Sequence, residues 1–264
     1  MTHFRLFGGL AVGLGLVTLL TPVDPAWVER VYSRALYLSF QPYLTGASNL
    51  VPFALLDLGV GLILGWLIRA AVRDVRHSGA GTAASRAAGR LVVTSAVVYL
   101  LFAASWGLNY RRVPLEQKIP FDRSRVTQAA AQQLAATAVA RLNSGHAAAH
   151  AAPFRTELLE HAFVRAQQAV GPGVTTTTGR PKRSFAGLYF RYAAIDGMTV
   201  PVFLEIILNP DLLPVERPAV LAHEWAHLAG YSDESEATFI AWLAASRSAD
   251  PVARYSAWLD AYGL

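Results

Sequence analysis

The sequence predicts an α+β protein in two parts: an N-terminal membrane region with three transmembrane helices, followed by a folded domain at residues 110–264. Three observations predict it. Hydrophobic residues make up 53% and charged residues 16% of the 264, too apolar for an ordinary soluble enzyme, and the apolar residues crowd into the first 110 positions. A pentapeptide of metal-binding spacing, His223-Glu224-Trp225-Ala226-His227, stands far beyond them. Between the two lie helix-period segments and a pair of runs with strand chemistry.

Three stretches suit a bilayer, which needs about 20 apolar residues in helix. They are residues 4–23, 50–72 and 91–108. The first has a short, weakly basic start and no small-x-small site after it, so a retained helix is expected rather than a cleaved signal. The second is interrupted by Asp57, for which helix pairing or snorkelling is the expected role. The aromatic segment 25–44, with Trp27, Tyr32, Tyr37, Phe40 and Tyr43, predicts an amphipathic helix on the outer interface.

Basic loops stay cytoplasmic. Arg69, Arg73, Arg76, Arg86 and Arg90 fall between spans two and three, whereas Arg30 and Arg34 between spans one and two are offset by Asp24 and Glu29. The expected topology is a multi-pass protein of the bacterial cytoplasmic membrane, N-terminus inside and the C-terminal domain extracytoplasmic. Arg111 and Arg112, just past span three, are expected to meet lipid headgroups. The net charge of +5 reads as membrane-protein bias, with no basic-aromatic pattern for nucleic acid. There is no cysteine, which excludes disulfides, thiolate ligands and Cys nucleophiles.

In the C-terminal half, residues 124–142 predict an alanine-rich helix ended by Asn143-Ser144-Gly145, and residues 155–170 a second helix. His146 and His150 stand four apart in alanine-rich sequence with no acid between them and read as linker or helix end; His161 reads as a surface residue. Gly171-Pro172-Gly173 and Thr175–Thr178 are loop signals. Residues 185–192 and 199–209, joined by Asp196-Gly197, predict a hairpin. Pro201 suits a strand start or sheet edge. Such an edge can pair with an extended peptide, and Glu205 on it can bind a substrate amine or a partner arginine.

Residues 214–230 read as one helix carrying the pentapeptide, with Pro218 in its first turn and Gly230 at its C-terminal left-handed position. Residues four apart share a helix face, so His223 and His227 can grip one metal ion, with Glu224 beside its open position as general base. Three acids compete to be the third ligand. Asp233 fits the spacing used by metzincins, but their downstream methionine turn is missing, and Asp233 with Glu236 also makes a capping box. Glu234 is preferred, because it heads a run (Glu234-Ser-Glu-Ala-Thr238) like the ExxA(D/N) run of glutamate-type zincins. Glu236 is the fallback. Thr238, four residues on, can support a ligand. The oxyanion donor is open among Tyr231, Tyr189 and Arg191, and Tyr231 is also a candidate substrate-binding residue. Ligand type favours Zn²⁺.

Taken together, Trp106-Gly-Leu-Asn-Tyr-Arg-Arg112, Pro201-Val-Phe-Leu-Glu205 with Asn209, and residues 223–239 resemble an uncharacterised bacterial family of membrane-anchored, gluzincin-like HExxH proteins, catalogued as a domain of unknown function. The resemblance implies a zincin (gluzincin) fold after the membrane region and leaves the substrate open. The family tends to have Asn where this chain has Thr238, and commonly lacks an acid at the position of Asp233, which favours Glu234.

The expected function is a membrane-anchored zinc metallopeptidase acting on a peptide or protein substrate. The rival is a non-catalytic, metal-stabilised membrane scaffold or sensor. A transporter role is weak for three spans with one central acid. Intramembrane proteolysis is disfavoured by the charges around the motif and by the roughly 115 residues between it and the last span. Nothing in the sequence speaks to oligomeric state.

Overall fold

The computed structural model describes residues 2–151, 153–171 and 173–263. Pro172, in the loop signal at 171–173, lies outside the described residues. The protein is mostly helical, with three short strands among the described residues.

Helix α1 (Thr2–Leu20) is followed by Pro25–Asn49, a continuous helical segment at 109° to it. This segment comprises α2 (Pro25–Trp27), a π-helical stretch Val28–Leu36 and α3 (Tyr37–Asn49). Asp24 starts it by accepting from the Ala26 and Trp27 N–H groups. Helices α4 (Leu55–Ser78) and α5 (Ala80–Ser105) are both long and apolar enough to cross a membrane, and α1 with the bent segment after it makes a third candidate span.

The basic stretch between the predicted second and third spans is helical rather than a loop. The two helices meet at Gly79, whose φ of +75° reverses the chain. Arg90 and Arg86 fold back onto Asp74 at 2.6 and 3.4 Å. Ala80, Ala83, Ala84, Ala87 and Ala88 favour helix and extend α5 well ahead of its apolar part, despite Gly81 and Gly89.

The expected interfacial helix is not merely interfacial. Val28, Tyr32 and Tyr37 are fully buried in one core with Trp106, Phe163, Trp225, Leu228 and Ile240. Tyr37 donates to Leu228 O at 2.7 Å, and Gln41 bonds Thr177 through both ends of its amide. Arg111 and Arg112 are likewise claimed by protein. Arg111 donates to the carbonyls of Thr18, Leu19 and Thr21, closing the C-terminus of α1. Arg112 pairs with Glu29 and donates to Gly230 O.

Helix α6 (Gln128–Ala151) runs through the stop expected at 143–145, and α7 (Thr156–Val170) follows. The sheet has the order β1-β3-β2, with β1 (Pro181–Lys182) parallel to β3 (Glu205–Leu208), and β2 (Gly197–Val200) antiparallel to it. The hairpin is therefore displaced from the predicted one. Residues 186–193 form helix α8 (Ala186–Ala193), and the reversal falls at 201–204, where Leu204 takes φ +45°. Asp57 helps set this: its carboxylate accepts from Ser184 Oγ and Phe185 N at the start of α8. Helices α9 (Arg217–Leu228), α10 (Glu234–Ser246) and α11 (Pro251–Gly263) complete the domain, with α9 packed against both the sheet and α10.

Candidate metal centre

Helix α9 is held on several sides, which fixes where its histidines point. Pro218 sits in its first turn, Ser256 Oγ accepts from Ala219 N, and the Trp225 indole donates to Gly179 O. Ala222 and Ala226 have no exposed surface, so neighbouring elements approach the helix axis closely. Gly230 ends the run at φ +84°, and a side chain there would meet the Asn109 amide at 3.1 Å.

His223 and His227 lie one turn apart, edge to face, with ring centroids 4.7 Å apart. His227 Nδ1 donates to Tyr231 O at 2.7 Å, which leaves Nε2 as the free, lone-pair nitrogen. His223 Nδ1 stands 3.3 Å from Thr238 Oγ1. The two Nε2 atoms converge on Glu234 Oε2, at 3.0 Å from His223 and 3.5 Å from His227. Donor atoms about 2.0–2.2 Å from one tetrahedral ion stand roughly 3.3–3.6 Å apart, and the three donors here lie within 4.8 Å of one another, so the group could hold a metal. His223, His227 and Glu234 are the group among the described residues whose donor atoms lie close enough together for that. Burial and the neighbouring His227 hold the His223 imidazole below its ordinary value, which keeps its ligating form neutral.

Glu224 is buried beside them. Thr199 Oγ1, on β2, lies 2.8 Å from Glu224 Oε2 and 3.0 Å from Glu224 O. Burial pushes the Glu224 carboxyl up to about 8; the Thr199 hydrogen bond opposes this, and the Glu234 charge adds to it. Gly197 makes room for it, because a Cβ there would lie 2.7 Å from Glu224 Oε1. All four side chains open into a cleft of about 430 Å³, walled by Phe102, Trp106 and Tyr110 on one side and by Asp196, Pro201 and Asp260 elsewhere.

The other expected site residues lie elsewhere. Glu205 is not a substrate-binding residue. It is buried, paired with Lys182 Nζ at 2.8 Å, and accepts the Leu55 and Leu56 N–H groups that open α4. The strand register turns it into the interior, where a lone carboxylate requires such partners. Tyr231 is also corrected: its side chain is buried beneath Arg112, 5.1 Å from the guanidinium, and the part that serves the site is its carbonyl, on His227. Asp233 caps α10 by accepting from Ser235 and Glu236 N–H groups. Among the described residues Glu236 closes no reciprocal capping bond; it accepts from Leu115 N and is not part of the group with the histidines. Arg191 pairs with Asp211. Tyr189 points outward on α8. His146 and His150 stack on α6 against Tyr255, with no third metal donor among the described residues.

Sequence reasoning missed Thr199, Gly197 and Tyr110. Tyr110 borders the cleft near enough to Glu234 that, after burial, this charge raises its phenol. Its only signal was its place in Trp106-Gly-Leu-Asn-Tyr110. The Trp106 indole donates to His227 O at 2.7 Å, fastening the end of α5 to the metal-site helix. No curated protein and no solved structure matches the chain. A model of the family described as "Protein of unknown function (DUF3810)" matches residues 32–264, and the chain belongs to that family.

Proposed function

We propose that this protein is a membrane-anchored, zinc-dependent peptidase of the HExxH-plus-glutamate type, with a zincin-like domain. One observation carries the reading: two imidazole Nε2 atoms and a carboxylate oxygen meet at one point, beside a buried glutamate that opens into the same cleft. His223, His227 and Glu234 would hold the ion. Nitrogen and oxygen donors without thiolate suit zinc in a hydrolytic site. When bound, zinc acidifies a water and polarises the scissile carbonyl.

The protein's own groups do the rest. Glu224 Oε2 is anchored by Thr199, while Oε1 has no hydrogen-bond partner among the described residues. Oε1 takes the proton of the attacking water and passes it to the leaving amine. Tyr110, which lines the cleft and feels the Glu234 charge, would donate its hydroxyl to the developing oxyanion in place of Tyr231, Tyr189 and Arg191. Edge strand β2, with Gly197 and Thr199 on the cleft, is the element that can pair with an extended peptide. The clustering of Arg69, Arg73, Arg76, Arg86 and Arg90 around the Gly79 reversal supports a cytoplasmic hairpin tip and an extracytoplasmic catalytic domain.

The test uses full-length protein in detergent. Wild type and Glu224→Gln should each hold about one zinc per chain and His223→Ala none, by mass spectrometry. A peptide library should be cleaved by wild type and at least 10²-fold more slowly by Glu224→Gln. Zinc-loaded Glu224→Gln that cleaves as fast as wild type overturns the reading and favours a metal-stabilised scaffold.

A further inference from the structure

The metal site lies about 115 residues past the last span in sequence, yet the end of that span forms its wall. Phe102 belongs to α5, and with Trp106 and Tyr110 it makes an aromatic face of the cleft, ring centroids 5.2–6.5 Å apart. Another part of the lining is also close to such a helix. Pro201 lines the cleft, and two residues on, Phe203 packs on α4 so closely that a Cβ at Gly59 would meet its ring at 3.1 Å. The site therefore stands beside the ends of α4 and α5, the two helices long and apolar enough to cross a membrane.

Helix α8 gives this position an independent marker. Phe185, Leu188, Tyr189 and Tyr192 follow i, i+3, i+4, i+7 spacing and are 85, 62, 64 and 92% exposed. The helix starts at Ser184 and Phe185, both bonded to Asp57 in the first turn of α4. An uncovered aromatic face tied to the mouth of a membrane span matches the side-chain chemistry of the bilayer interface. The chain leaves α8 at Ala194 and enters the cleft at Asp196 and Gly197, so whatever seats α8 also seats the cleft.

We propose that the site acts on juxtamembrane segments of membrane-anchored polypeptides, and that α8 embeds its aromatic face in the leaflet to hold the cleft at the bilayer surface. The inference rests on the peptidase reading above. A substrate tethered in the same membrane gains effective concentration without any new contact, and its scissile bond needs to lie within roughly ten residues of its own span, about 35 Å of extended chain.

The experiment places full-length protein in vesicles of phosphatidylethanolamine and phosphatidylglycerol. One cleavable sequence is presented as a free peptide and as a fusion to a single transmembrane helix, with spacers of roughly 5, 15 and 40 residues. With the shortest spacer the fused form should be cleaved on the order of 10²-fold faster than the free peptide, with the rate falling at both longer spacers. A Phe185→Ser, Leu188→Ser, Tyr192→Ser variant should lose most of that advantage while cleaving the free peptide in detergent as wild type does. Equal rates for free and fused substrate, or an advantage that survives the triple substitution, overturn the inference and leave the peptidase reading standing. Cleavage of neither form, with wild type no better than Glu224→Gln, removes the peptidase reading and this inference with it.

Discussion

His227 and His223 are oriented by different means, and the difference has a measurable consequence. A main-chain carbonyl, Tyr231 O, fixes His227, and no side-chain substitution removes it. His223 depends on the hydroxyl of Thr238. Replacing Thr238 by Val should therefore weaken zinc about tenfold or more in a chelator-competition titration, whereas Asn, which keeps a polar partner, should retain most of the affinity. Unchanged affinity in the Val variant would make Thr238 a packing residue. Glu224 supplies a pH effect of definite sign. Its folded, metal-free carboxyl sits at about 8 against an ordinary 4.5, so between those values the unfolded chain ionises while the folded one keeps its proton. Stability without metal should fall across that window, by on the order of a few kcal/mol, and level off above it. With chelator present, the wild-type melting temperature should drop from pH 5 to 8 more steeply than that of Glu224→Gln; parallel curves would refute the assignment. That His223, Glu224 and His227 stand together was legible because helical spacing is local, and Glu234 was legible from the acidic run that follows within seven residues. The service of the Tyr231 carbonyl was not, because main-chain partners leave no mark on residue identity.

Among the elements, the best read were those whose sequence signals are self-contained. Helices α7, α9 and α10 carry their periodicity, Pro218, Gly230 and the Asp233 cap within their own spans. The run 185–192 misled, since aromatic and small residues suit strands, yet its exposed apolar side chains have helical spacing and Asp57 caps it from 127 residues away. Glu205 misled for a related reason. An alternating run gives its face but not which face is buried, and here every residue of β3 is buried. The Lys182–Glu205 pair then joins β1, β3 and the start of α4 in one interior contact, with Ser48 Oγ accepting from the lysine. Lys182→Met should destabilise the protein by about 3–5 kcal/mol, because it strands a buried carboxylate, and Lys182→Met with Glu205→Gln should recover much of the loss. Thermal unfolding of the two variants in detergent checks this; equal losses would mean that the missing lysine contact, and not the unpaired charge, sets the cost.

For the whole molecule, the composition break near residue 110 is real, but it does not divide two folding units. Val28, Tyr32 and Tyr37 come from the N-terminal part and are buried among Phe163, Trp225 and Leu228 from the C-terminal part. Trp106 donates to His227 O, Tyr37 to Leu228 O, and Glu29 holds Arg112 and Lys118. Such pairs, 83 to 191 residues apart in sequence, have no local signature, which is why hydropathy alone separates parts that share one core. Burying each large apolar side chain contributes about 1.5–3 kcal/mol, against a total stability of about 5–15 kcal/mol for an ordinary domain. A chain beginning at residue 110 loses at least four such side chains from its core, together with the hydrogen bonds that fasten the carbonyl end of α9. It should aggregate or remain without a cooperative melt, and it should bind no stoichiometric zinc even though it keeps all three ligands. A chain beginning at residue 25 retains the interleaved helix and the candidate spans α4 and α5, and in detergent it should fold and bind one zinc as the full-length protein does. Recovery of a monomeric 110–264 fragment with a sharp thermal transition and one bound zinc would show that the membrane-proximal residues decorate the domain rather than complete it.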